Sequence, residues 1–88
     1  MRRTIEQVEK TLKNYLELDN VHYGNKLKRI NNETVSTYDG TYPSFEVIYE
    51  GVTNRMNHEV QNNMIKDIER YLGLKHGTDY WLGITMEL

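Results

Sequence analysis

The chain contains no cysteine and no alanine, one proline and one tryptophan, and no apolar run approaching the ~18 residues a bilayer-spanning helix needs. Without cysteine there can be no disulfide, no thiolate nucleophile and no thiolate metal site. The opening Met1-Arg2-Arg3-Thr4-Ile5-Glu6 turns polar at once, which is not the pattern of a signal peptide. These absences together fit a cytoplasmic, soluble protein with no membrane partner. The tripeptide Asn32-Glu33-Thr34 matches a glycosylation acceptor, and without an export signal it reads as chance.

A dominant charge is also missing. Eleven basic side chains stand against thirteen acidic ones. A nonspecific nucleic-acid binder works by neutralising phosphates and carries a basic excess that this chain lacks. Asparagine and tyrosine are plentiful, a usage typical of AT-rich genomes such as a low-GC bacterium or its phage. A phage-encoded chain would then work in the bacterial host cytosol.

Eighty-eight residues make one domain. A compact globule of 10.5 kDa exposes roughly 5,400 Å². A standard interface takes about 800 Å² from each partner, so one dominant binding face is the natural expectation.

Two helices are predicted from 3–4 spacing. Ile5, Val8, Leu12, Tyr15 and Leu16 form the stripe of the first, opened by a Thr4–Gln7 capping box and ending near Asp19-Asn20. Met56, Val60, Met64, Ile68, Tyr71 and Leu72 form the second, capped by Thr53 or Asn54 and closed by Gly73. Strands are predicted where the period falls to two. Phe45, Val47 and Tyr49 share one face, with Glu46, Ile48 and Glu50 on the other. Tyr80, Leu82, Ile84, Met86 and Leu88 alternate with Trp81, Gly83, Thr85 and Glu87.

Between these elements, Thr34–Tyr38 and Thr41-Tyr42 read as a hairpin turning at Asp39-Gly40, and Lys26–Ile30 as a weaker strand. Pro43 cannot donate a ladder bond, so its strand should lie at an edge or begin after it. The expected architecture is a two-layer α+β sandwich of order α-β-β-(β)-α-β. Both helices cover one face of a three- or four-stranded, mostly antiparallel sheet. The order resembles that of double-stranded-RNA-binding domains in topology alone, because their basic helix is missing.

No catalytic constellation emerges. His58-Glu59 begins the pattern H-E-x-x-H, but Asn62 stands where the second metal ligand belongs. His22, His58 and His76 read as surface histidines. Asp67 and Glu69 point apart on their helix, and Glu46 and Glu50 lie roughly 13 Å apart on a strand. Neither pair makes an acid–base dyad, and no Gly-rich loop or nucleophile elbow is present. No cofactor, metal or catalytic residue is expected.

Two surfaces remain. Lys26, Lys28 and Arg29 are the only basic cluster and could grip nucleic acid, or could simply protect an edge strand. The hairpin Tyr38-Asp39-Gly40-Thr41-Tyr42, with Tyr23 and Trp81, carries the tyrosine-rich mixture of protein-binding loops. Tyr38 and Tyr42 could equally be a cross-strand pair supporting their own turn. The leading expectation is a small non-enzymatic protein-binding module. It would be an inhibitor of a host defence system of the anti-CRISPR kind, or an oligomer-forming phage component built by edge pairing. Nucleic-acid binding through Lys26, Lys28 and Arg29 is the alternative.

Overall fold

The computed structural model describes residues 4–38, 40–52 and 56–88, with backbone alone for residues 19, 56 and 57. Helix α1 spans Ile5–Leu16 and opens on the expected box: the Gln7 N–H donates to Thr4 Oγ1 at 3.1 Å, and the Thr4 N–H to Gln7 Oε1 at 2.9 Å. Both would otherwise be orphan donors at the helix start. One 3₁₀ turn, Asp19–Val21, leads to strands β1 (Leu27–Thr37) and β2 (Gly40–Glu50), then α2 (Met56–Leu72) and β3 (Trp81–Glu87). Thr53 and Asn54, the expected caps of α2, lie outside the described residues.

The architecture is α+β, of order α-β-β-α-β, with a three-stranded sheet ordered β1-β2-β3. β1 pairs antiparallel with β2 through Leu27↔Tyr49 to Thr37↔Gly40, and β3 pairs parallel with β2 through Ser44↔Trp81 to Glu50↔Glu87. The connection through α2 is what lets two sequential strands run parallel.

Three expectations for residues 26–44 are corrected. The weak strand at Lys26–Ile30 and the one at Thr34–Tyr38 are a single strand, because Asn31 and Asn32 pair with Glu46 and Phe45 instead of turning. β2 runs straight through Pro43. Its missing N–H costs no ladder bond, since β3 begins only beside Ser44 and no described strand flanks β2 at Pro43 on that side. The turn lies one residue earlier than expected. Thr37 faces Gly40, with Tyr38 in the turn after it, and Gly40 takes the positive φ (+144°) at the head of β2. The buried row Phe45, Val47 and Tyr49 sets this register, because a one-residue slip would turn all three outward.

The core lies between the sheet and the helices. Val8, Leu12 and Leu16 of α1 and Met64 and Ile68 of α2 close on Phe45, Val47, Tyr49, Tyr80 and Leu82. The expected stripes overreach at their ends. Tyr71 is 67% exposed, Leu88 lies past β3 at 88% exposure, and Ile84 and Met86 are half-buried. Gly73 adopts φ +69° and donates its N–H to the Glu69 carbonyl, ending α2 as foreseen.

The hairpin outreaches the body. From Asn31 onward every described residue of β1 is exposed, and the molecule measures 38 × 26 × 19 Å. Its surface, 6263 Å², exceeds that of a compact globule of this mass.

Candidate functional site

The helices cover one face of the sheet, and among the described residues no element covers the other. Side chains alternate along β2, so burying Phe45, Val47 and Tyr49 turns Tyr42, Ser44, Glu46, Ile48 and Glu50 outward. Register then sets their neighbours: Val35 faces Tyr42, Glu33 faces Ser44, and Asn31 faces Glu46. On the other side Trp81 lies beside Ser44, and Gly83 beside Glu46. Tyr42 and Trp81 are therefore diagonal neighbours across Ser44. With Val35, 37% exposed, they make an apolar patch near the base of the hairpin, rimmed by the exposed carboxylates of Glu33 and Glu46.

Trp81 is 47% exposed yet held in place. The His76 ring stands edge-on to it at 5.0 Å and edge-on to Tyr80 at 5.4 Å, while His76 Nε2 lies 3.3 Å from the Leu82 carbonyl oxygen. A large aromatic surface fixed before binding loses little freedom when a partner covers it. Gly83, with no side chain, leaves the strand next to Trp81 flat and accessible.

The basic cluster is consumed within the fold. Lys26 Nζ lies 3.0 Å from Glu50 Oε2. The ladder skips Lys28 between Leu27↔Tyr49 and Arg29↔Ile48, a bulge that helps both Lys28 and Arg29 reach across β2. Arg29 grips Glu87 of β3 with two parallel bonds, at 2.7 and 3.0 Å, and Lys28 approaches the same carboxylate at 3.4 Å. This bridge crosses the central strand at Ile48, which faces outward as its strand position requires and yet is only 1% exposed.

The Arg29 bond above all, then that of Lys28, lowers the Glu87 pKa from 4.5 to about 2. A carboxyl depressed by folding stabilises the fold above its unfolded pKa and loses that contribution as pH falls through its folded one. Acid titration of stability should therefore steepen between about pH 4.5 and pH 2, and Glu87→Gln should flatten that segment. An unchanged acid limb in the variant, followed by urea unfolding at each pH, would refute the bridge.

The other predicted residues separate. Tyr38 sits in the turn, 99% exposed, and does not pair with Tyr42, whose partner is Val35. Asp39 lies outside the described residues. Tyr23 is remote from the hairpin. It holds φ +54° and donates its hydroxyl to Asp67 of α2, and burial first, then that bond, raises its phenol above the ordinary range. Tyr15 is raised by burial and by the charge of Asp67, and Tyr71 stands near it. Tyr15 and Tyr23 thus both stand close to Asp67 of α2.

The chain matches no protein-family model, no curated protein and no solved structure. The reading of the site therefore rests on its own geometry.

One histidine is corrected outright. His22, expected on the surface, is 3% exposed. Its Nε2 lies 2.7 Å from the Leu16 carbonyl oxygen and its Nδ1 2.6 Å from the Tyr49 hydroxyl. A carbonyl can only accept, so Nε2 carries the proton; in the neutral ring Nδ1 then accepts from the Tyr49 O–H. The ring caps the end of α1 and ties it to the central strand. Burial raises the Tyr49 phenol, which keeps it a donor. His58 is exposed, and among the described residues no three His, Asp or Glu side chains gather as a metal site.

A groove of about 300 Å³ runs between α1 and the inner side of β1, lined by Lys13, Glu17, Leu27, Ile30, Asn32 and Phe45. That volume is at the small end for a ligand pocket. Sequence patterns could suggest Tyr42 and Trp81, since both fall on outward positions. They carried no signal for the Glu87 bridge, which joins residues 58 apart.

Proposed function

We propose that this chain is a small non-enzymatic protein-binding module, an inhibitor or adaptor, which recognises its partner through the open sheet face around Tyr42, Val35 and Trp81. The supporting observation is the pre-positioned Trp81 beside Tyr42 on the uncovered side of the sheet. Aromatic anchors surrounded by polar groups are the usual centre of binding energy in an interface. The projecting hairpin, with Tyr38 at its tip, extends the same surface.

The rim specifies the partner's chemistry. Glu33 and Glu46 flank the patch, whereas Lys28 and Arg29 are engaged by Glu87. An apolar pocket or groove edged with arginine or lysine complements this arrangement. Phosphate would meet those carboxylates and would have to displace Glu50 and Glu87 from the basic residues. That counts against nucleic-acid binding through Lys26, Lys28 and Arg29.

Affinity capture from bacterial lysate tests the reading. Trp81→Ala with Tyr42→Ala should reduce recovery of a specific partner by roughly tenfold or more, because hot-spot aromatics contribute about 2 kcal/mol or more each. Tyr71→Ala, an exposed aromatic on α2, should leave recovery unchanged. Equal capture by all three proteins would remove this face as the site. Salt-sensitive retention on DNA, abolished by Lys26→Glu with Arg29→Glu, would instead favour the basic segment.

A further inference from the structure

The two edges of the sheet are not equivalent. β1 carries the bulge at Lys28 and the charges of Lys28, Arg29 and Glu33, devices that discourage pairing with another strand. β3 has none of these from Leu82 to Met86: the run Leu82-Gly83-Ile84-Thr85-Met86 holds no charge, no proline and no bulge. Backbone geometry shows which groups it offers. The Glu87 carbonyl accepts from Gly51 N–H at 3.0 Å, so Glu87 points its polar backbone groups toward β2. By alternation Thr85 and Gly83 do the same, and Leu82, Ile84 and Met86 turn theirs to the open edge.

That edge is closed at both ends. The Leu82 carbonyl is already held by Gln61 Nε2 at 3.0 Å and approached by His76 Nε2 at 3.3 Å, which fills both its lone pairs. The Leu88 carbonyl accepts from Lys28 Nζ at 3.0 Å. Between them, the N–H and C=O of Ile84 and Met86 are offered outward, and no partner for them occurs among the described residues.

We propose that these groups bind the same groups of a second copy, so that β3 pairs antiparallel with β3 of another chain about a two-fold axis at Thr85. In this register Ile84 faces Met86 of the second chain, twice by symmetry, and four backbone hydrogen bonds pair the N–H and C=O groups of Ile84 and Met86 in both chains. Registers centred on Gly83 or Ile84 would demand the filled Leu82 carbonyl, and one centred on Met86 would have to share the Leu88 carbonyl with Lys28. The half-buried Ile84 and Met86 side chains complete each other's burial on the inner face. On the outer face, Gly83 leaves room opposite the Glu87 bridge. The product is a six-stranded sheet, β1-β2-β3-β3-β2-β1, carrying two copies of the Trp81 face. The pairing does not depend on that face being the binding site.

The absence of cysteine makes the test direct. In a non-hydrogen-bonded antiparallel pair the facing Cα atoms lie about 4.5 Å apart, within disulfide range. Under mild oxidation Thr85→Cys should give nearly complete covalent dimer, and Ser36→Cys, on the hairpin, should not. Sedimentation should give the unmodified chain twice its 10.5 kDa mass. Thr85→Lys, which sets two ammonium groups face to face, should weaken the dimer by roughly tenfold or more with unchanged circular dichroism. A chain that stays monomeric overturns the proposal and leaves the edge to a strand of another protein. A dimer whose Thr85→Cys variant does not cross-link overturns it as well, by locating the contact elsewhere.

Discussion

Replacing His22 with alanine is expected to destabilise the fold by about 2–5 kcal/mol. The substitution strands two buried groups, the Tyr49 hydroxyl and the Leu16 carbonyl, each costing about 1–3 kcal/mol when left without a partner. The ring also leaves a hole beside the core. In a domain of this size each kcal/mol lowers Tm by about 4–8 °C, so a thermal melt resolves the effect easily.

Two milder substitutions separate the hydrogen bonds from the packing. Tyr49→Phe removes only the hydroxyl and leaves His22 Nδ1 unsatisfied, and should cost about 1–3 kcal/mol. Tyr80→Phe should do the reverse. Tyr80 is fully buried, its phenol is likewise raised by burial, and its hydroxyl has no partner among the described residues. Deleting that hydroxyl removes a desolvation penalty, so stability should be unchanged or higher by up to about 1 kcal/mol. If His22→Ala melted with the wild type, or if the two Tyr→Phe variants shifted Tm alike, the buried pairing would be refuted.

The second large effect is expected at Leu12. It is fully buried in the middle of α1, between Val8 and Leu16, and faces the sheet. Leu12→Ala should cost about 2–5 kcal/mol, out of the roughly 5–15 kcal/mol that holds a domain together. Ile5→Ala, on the same helix but 38% exposed, should stay within about 1 kcal/mol. Urea unfolding of both variants measures the contrast. Equal losses would mean that α1 does not seat on the sheet along this stripe.

Sequence reading succeeded where the governing interaction is local. The capping box of α1, the glycine stop of α2 and the period-2 row of β2 each follow from residues within a few positions of one another. It failed at Asn31-Asn32 and at Tyr38. There local turn propensity competes with a long ladder whose register is dictated by burial of Phe45, Val47 and Tyr49 against the helices. It failed at His22 for the same kind of reason. Nothing near residue 22 announces a partner 27 positions away on β2.

The candidate face divides in the same way. Alternation alone places Trp81 on the outward side of its strand, and Tyr42 joins it only because β2 runs on through Pro43. Their adjacency across Ser44 requires β3 to pair parallel with β2, which the intervening helix permits but does not specify.

The two helices and the inward rows of β2 and β3 were thus determined by the chain's own periodicity. Three things were decided only by tertiary structure: which strands neighbour one another, which basic side chains are neutralised, and which edge is left open. Hydrophobic period is a property of consecutive residues. Register, ion pairing and edge exposure depend on segments that meet only after the chain has folded.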